Sequence, residues 1–123
     1  MRVVIVGGGF GGVKAALELA REPRVHVTLV SDRDHFLFYP ALYSTATGHS
    51  RQPSVIPLSK FFRKRPNIHV VHDTITGIDV PRKLIVGDNG QYQYDRAIFA
   101  MGVVTTYFGI IGLDEYSYSI KSA

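Results

Sequence analysis

No cysteine occurs among the 123 residues. A disulfide framework, a thiolate metal site and a redox thiol pair are therefore excluded within them. No apolar run approaches the roughly 20 residues needed to cross a bilayer. The N-terminus does not read as a secretory signal, because Met1-Arg2 is followed by four apolar residues and then glycines. A signal h-region would stay apolar for about 7–15 residues. Internal repeats and low-complexity segments are also missing. With 46% hydrophobic and 20% charged residues, the composition is that of an ordinary globular chain. The net charge of +4 is mild, and a good part of the basic excess lies in Lys60-Phe61-Phe62-Arg63-Lys64-Arg65. These absences lead to the expectation of a soluble, cytoplasmic chain that forms one domain or part of one.

What is present begins at Val3 with VVIVGGGFGG. Arg2 to Val6 predicts a strand, continuous and β-branched, as when both faces of a parallel sheet are covered. From Gly11 the period changes to helical, with Val13, Ala16, Leu17 and Ala20 on one side and Pro23 as the stop. Val25 to Val30 predicts the next strand and closes a βαβ unit. The aromatic stretch from His35 to Tyr43 reads as loop with one short helix, and Ser44 to Pro53 as polar loop. A short helix is expected over Ser54 to Lys64, with Val55, Leu58 and Phe62 on one side and Pro66 ending it. Ile68 to His72 predicts a third strand. Thr74–Asp79, Lys83–Val86 and Gln91–Tyr94 then read as an antiparallel meander, with Asp88-Asn89-Gly90 a strong turn signal. Arg96 to Ala100 returns as a buried parallel strand, and the chain from Val103 is loop-like.

Gly7-x-Gly9-x-x-Gly12 follows a strand and opens a helix, the context in which this pattern signals a dinucleotide. Gly7 makes the tight turn, Gly9 lets the backbone approach a pyrophosphate, and Gly12 lets the helix pack close to the strand. The helix N-terminus then faces the phosphates with free N–H groups and the positive end of its dipole. The competing account is a glycine-rich turn that binds nothing. The pattern also requires an acid about 20 residues on, to accept a hydrogen bond from a ribose hydroxyl. Asp32 meets that spacing, with a solvated turn carboxylate as its alternative and as the preferred account of Asp34. Arg33 is compatible with a phosphate or with plain solvent exposure.

The remaining constellations are weaker. Lys60 to Arg65 suits anionic lipid, phosphate or nucleic acid, but an amphipathic account, aromatics inward and charges outward, is preferred, and no nucleic-acid partner is expected. His35, His49, His69 and His72 lack ligand spacing, so no metal is expected. Phe36, Phe38, Tyr39 and Tyr43 suit either a cofactor wall or core packing.

An NAD-binding domain normally continues into a second βαβ half, whereas here a meander intervenes before Ala100-Met101-Gly102. That order resembles the flavoproteins with two dinucleotide-binding domains, in which the first fingerprint holds FAD. Within them the chain is most similar to the type II NADH:quinone dehydrogenases. The resemblance is carried by VVIVGGGFGGVKAALEL, VTLVSDRDHFLFYPALY, DTITGIDVPRKLI and YDRAIFAMGVVTTYFGIIGLDEYSYSIKS. It implies an α/β, Rossmann-like FAD-binding half-domain: a parallel sheet with a βαβ unit, a small antiparallel meander and a returning strand. Gly7, Gly9, Phe10, Gly11, Gly12, Ser31, Asp32, Arg33, Ile75, Ala100, Met101 and Gly102 are the implied cofactor-binding residues. The family's ribose carboxylate aligns with Ser31, so either the role moves to Asp32 or a serine hydroxyl takes it. Met101 stands where threonine or leucine is commoner, and Ile111 where proline is.

The resemblance further implies a longer parent with an NADH domain and a C-terminal part, peripheral on the cytoplasmic side of the membrane. That parent passes a hydride from NADH to FAD and electrons to quinone. Residues 1–123 are accordingly expected to be one partial FAD-binding domain, inactive alone and self-associating through an uncovered sheet edge, with no catalytic residue assigned. The alternatives are a non-catalytic nucleotide-binding or interaction module, or part of a sulfide:quinone oxidoreductase.

Overall fold

The computed structural model describes residues 1–41, 46–48 and 54–103, together with 111 and 115. β1 (Arg2–Val6), α1 (Phe10–Leu19) and β2 (His26–Ser31) form the expected βαβ unit. β5 (Ile68–His72) and β9 (Arg96–Phe99) complete a parallel sheet of order β5-β2-β1-β9, but β9, expected to be buried, lies at the edge of the described sheet with no buried residue. β1 is central, and Val3, Val4, Ile5 and Val6 are all buried. Alternate side chains of a strand point to opposite faces, so one run of four feeds two cores. Val3 and Ile5 pack with Val13 and Ala16 of α1, Leu29 of β2, Leu58 and Phe62. Val4 and Val6 pack on the other face with Val30, Ile85 and Tyr94.

That second face is covered by the meander of β6 (Ile75–Asp79), β7 (Leu84–Gly87) and β8 (Gln91–Gln93). Its β7–β8 turn falls at Asp88-Asn89-Gly90 and closes with Gly87 N–H donating to Gly90 O at 2.8 Å. Asp73, at the end of β5, anchors the turn. Its carboxylate accepts from the Asn89 backbone N–H (3.1 Å), the Asn89 side-chain amide (3.2 Å), the Thr74 N–H (2.8 Å) and the Tyr92 hydroxyl (2.6 Å). A side chain at position 87 would overlap this carboxylate, which is why a glycine stands there.

Between β2 and β5 the structure departs from expectation. His35–Leu37 forms β3 and pairs antiparallel with β4 (Val55–Pro57), where loop and helix were expected. Only Leu58–Phe62 is α-helical (α2). The reason is local: Val55 and Ile56 are β-branched, and a residue preceding proline is pushed out of the helical region. Pro57 itself is extended, at ψ 130°, and the helix starts after it. Leu58 and Phe62 are buried as their spacing predicts. A 3-10 turn at Tyr39–Ala41 is the one short helical piece of the aromatic stretch among the described residues. The loops expected over Ser44 to Pro53 and beyond Val103 lie largely outside the described residues. No helix among the described residues is long and apolar enough to cross a membrane.

Candidate functional site

The site lies where β1 ends and α1 begins, at the carboxyl ends of the parallel strands. Gly7 N–H donates to Val30 O at 2.8 Å, and Ala100 N–H donates to Val6 O at 2.8 Å, so the turn is held from both flanking strands. Gly7 has φ +112°, a left-handed conformation that favours glycine, and a side chain there would overlap the Ala100 carbonyl. At Gly12 a Cβ would overlap the Gly7 carbonyl oxygen. These two glycines therefore serve chain packing, in the roles expected. Gly9 differs, because a Cβ there would meet no described residue within 4 Å. It is the N-cap of α1 and has no side chain with which to cap the helix. The N–H groups of a first helical turn have no intrahelical partners. Gly9 thus opens onto space at the positive end of a ten-residue helix.

The end of β2 separates the two residues held as ribose ligands. Ser31 is 4% exposed, and its hydroxyl oxygen accepts the Arg33 N–H at 3.1 Å. The Ser31 carbonyl accepts the Asp73 N–H at 2.9 Å. Asp32 is exposed, and its carboxylate pairs with no described residue. Its backbone carbonyl accepts from His72 Nε2 at 3.0 Å, which fixes the ring nitrogen as the donor. The Arg33 side chain is exposed. Asp34 pairs with His35 at 2.8 Å, a hydrogen bond that holds its carboxyl below the usual range.

On the return strand, Ala100 is half-buried, and its Cβ lies 3.4 Å from where a Gly11 side chain would start. Met101 is exposed, and Gly102 turns away with φ +75°. Ile75 spends its side chain in the core layer beneath the meander. Gly7, Gly11 and Ala100 are brought together, while Asp32 and Arg33 stand at the tip of the neighbouring strand.

One residue, Gly8, escaped the sequence reading. A side chain at Gly8 would come within 2.6 Å of Ser31 Oγ and 2.8 Å of Leu58 Cδ1, so this glycine lets the turn sit down on β2 and α2. The run of three glycines, one more than the pattern needs, was its signal. Phe10, half-exposed, stacks edge-on against Phe36 at 4.8 Å and lies 6.2 Å from Phe38. Phe36 is core, and Phe38 is partly exposed beside Phe10. The Tyr39 side chain and Tyr43 lie outside the described residues.

Residues 1–123 match the pyridine nucleotide-disulphide oxidoreductase family. The chain is 36% identical over 126 residues to the type II NADH:quinone oxidoreductase Ndh of Mycobacterium tuberculosis, covering 98% of this chain and 27% of that protein. Among solved structures, the sulfide:quinone oxidoreductase of Aquifex aeolicus superposes with a TM-score of 0.83 at 30% identity, over 98% of this chain and 28% of that one. NDH2 of Plasmodium falciparum in complex with NADH gives a TM-score of 0.83 at 28% identity, over 95% of this chain and 25% of that one. The chain thus spans about a quarter of the length of the relatives it matches.

Proposed function

Because the chain belongs to the pyridine nucleotide-disulphide oxidoreductase family, we propose that residues 1–123 are the partial FAD-binding domain of a type II NADH:quinone oxidoreductase-like enzyme. The observation that carries this reading is the pairing of an open Gly9 at the α1 N-terminus with an Asp32 carboxylate, at the tip of β2, that pairs with no described residue. A pyrophosphate fits the first and a ribose hydroxyl the second. The site passes a simple test of fit: at Gly7 and Gly12 a side chain would collide with backbone, while a Cβ at Gly9, where FAD would approach, meets no described residue within 4 Å.

In this reading Gly9 and Gly11 present backbone to the pyrophosphate, while Gly7 and Gly12 pack the turn that holds them there. Asp32, rather than the buried Ser31, accepts the ribose hydroxyl, and Arg33 stands alongside it to meet a phosphate oxygen. Ala100, Met101 and Gly102 bound the other side of the site, and Phe10 with Phe38 shields it from water. FAD, when bound, supplies the hydride-accepting and electron-passing chemistry; these residues supply position and electrostatics. NADH as donor and quinone as acceptor belong to the longer parent. That parent is placed at the cytoplasmic face of the membrane, and the chain alone is expected to be inactive and to self-associate. The likeness to the Aquifex sulfide:quinone oxidoreductase supports a second reading, in which the donor is sulfide.

The test is a titration of the purified chain with FAD, followed by quenching of flavin fluorescence. Saturable binding that is weakened by Asp32→Ala supports the reading. A protein that takes up no FAD overturns it for this chain. NADH oxidation set against sulfide oxidation by the full-length parent separates the two donors.

A further inference from the structure

We propose that the C-terminal shoulder of α2, formed by Lys60, Arg63, Lys64 and Arg65 around Phe61, is a docking surface for an anionic lipid bilayer. Residues 35–72 hold five Lys and Arg and not one Asp or Glu, against a net charge of +4 for the whole chain. Four of the five are gathered on this shoulder, where they line an open depression of about 400 Å³. None of the four forms an ion pair with a described residue, although carboxylates elsewhere are engaged. Glu18, toward which Arg65 is attracted, is already held by Lys14 at 2.6 Å and Arg21 at 3.3 Å.

The shoulder is separate from the dinucleotide site. Arg65 N–H donates to Phe62 O at 2.9 Å and Ile68 N–H to Arg65 O at 3.1 Å. The cluster therefore precedes β5, whose Ile68 pairs with Val27 near the start of β2. Gly7 follows the far end of the same sheet. An anion bound at the shoulder is not the pyrophosphate.

The chemistry points to a surface rather than to a small ligand or a nucleic acid. A small anion is held in a concave site that encloses most of it, and this depression is open. Single-stranded nucleic acid needs exposed rings on which bases stack. Here Phe62 is buried, and Phe61 is spent on Phe36 (5.4 Å) and Phe62 (6.2 Å). A bilayer carrying anionic headgroups asks only for clustered positive charge near the interface. The choice of lipid among anionic surfaces rests on the quinone-reductase reading, since quinone is dissolved in the bilayer.

The experiment is co-sedimentation of the purified chain with vesicles of phosphatidylcholine, with and without phosphatidylglycerol. Binding is expected only to the anionic vesicles, and to fall as salt is raised. Each cation near such a surface is worth roughly fivefold in partitioning. The combined Lys60→Gln, Arg63→Gln and Lys64→Gln variant should therefore bind roughly 100-fold less, while Lys83→Gln on the meander stays within about twofold of the parent. The three substituted side chains are exposed, so the fold and the FAD titration should be unchanged. Equal binding to both vesicle types, or undiminished binding by the triple variant, overturns the proposal. Displacement by inorganic phosphate at constant ionic strength, or by a single-stranded oligonucleotide that binds more tightly, also overturns it. A wild-type chain that sediments with anionic vesicles but takes up no FAD would count against the cofactor reading and not against this surface.

Discussion

Glycines that look equivalent in the pattern do different work in the folded chain. At Gly12 a Cβ collides with the Gly7 carbonyl, so Gly12→Ala should destabilise the fold by about 3 kcal/mol, at the upper end of overpacking costs. At Gly9 the space is open and φ is −82°, within reach of any residue. Serine is a good N-cap there, so Gly9→Ser should leave unfolding by urea within about 0.5 kcal/mol of the parent. Its side chain would stand where the pyrophosphate approaches, and FAD uptake should be lost. A Gly9→Ser protein that binds FAD like the parent would show that the open space is not the cofactor's. The acid-serine ambiguity yields to the same kind of pairing. Asp32→Ala removes an acceptor with no partner among the described residues and should weaken FAD by roughly 10- to 100-fold, the range of a hydrogen bond to a charged group. Ser31→Ala should spare FAD affinity and cost about 1 kcal/mol in stability, because the Arg33 N–H loses its acceptor. The reverse pattern in the two titrations would return the ribose to Ser31. Spacing pointed to Asp32 and the family resemblance to Ser31, and neither carries information about burial; Ser31 is 4% exposed and Asp32 lies open.

Among the elements, the meander depends on one buried anchor. Hydrogen bonds from Tyr92, from the Asn89 and Thr74 backbone and from the Asn89 amide hold the Asp73 carboxyl below the usual range. Burial and the neighbouring carboxylate push the Tyr92 hydroxyl up to about 12 from 10.0. The signs follow from linkage. Asp73 contributes stability above the ordinary carboxylate range, lost as pH falls through its lowered value. The Tyr92 contribution is complete below pH 10 and is lost as pH rises toward 12, since the unfolded chain ionises first. Tyr92→Phe should therefore be about 1–2 kcal/mol less stable than the parent at neutral pH. That gap should close as pH rises from 10 toward 12, as followed by urea unfolding. A gap that persists above pH 12 would mean that the hydroxyl contributes by packing and not by its proton.

The meander and the parallel strands were legible in advance because alternation and continuous apolar runs report directly on how many faces are buried. β3 and β4 were not, because a three-residue strand is too short to show a period and its partner begins only after seventeen intervening residues. The trace they left was chemical: Val55 and Ile56 ahead of Pro57, a combination that resists a helix.

At the scale of the whole molecule, the order β5-β2-β1-β9 leaves β9 with one neighbour among the described residues. The chain leaving it is apolar and exposed: Phe99 at 48%, Met101 at 72% and Val103 at 89%. Natural edge strands are shielded by lysine, proline, bulges or a covering element, and β9 carries a single charge, Arg96, at its first residue. An edge of this kind is a template for another strand, and a second copy of the chain brings an identical one. Self-association that grows with concentration is therefore expected in size-exclusion chromatography with light scattering. Phe99→Lys should shift the chain toward monomer by placing a charge on the edge and removing a ring from the exposed patch. Backbone pairing and apolar contact are weakly screened, so this association should survive added salt. Removal of the Lys60, Arg63 and Lys64 charges should leave it in place, which separates it from the basic shoulder. A monodisperse monomer at high concentration would show that the β9 edge is already satisfied within one chain.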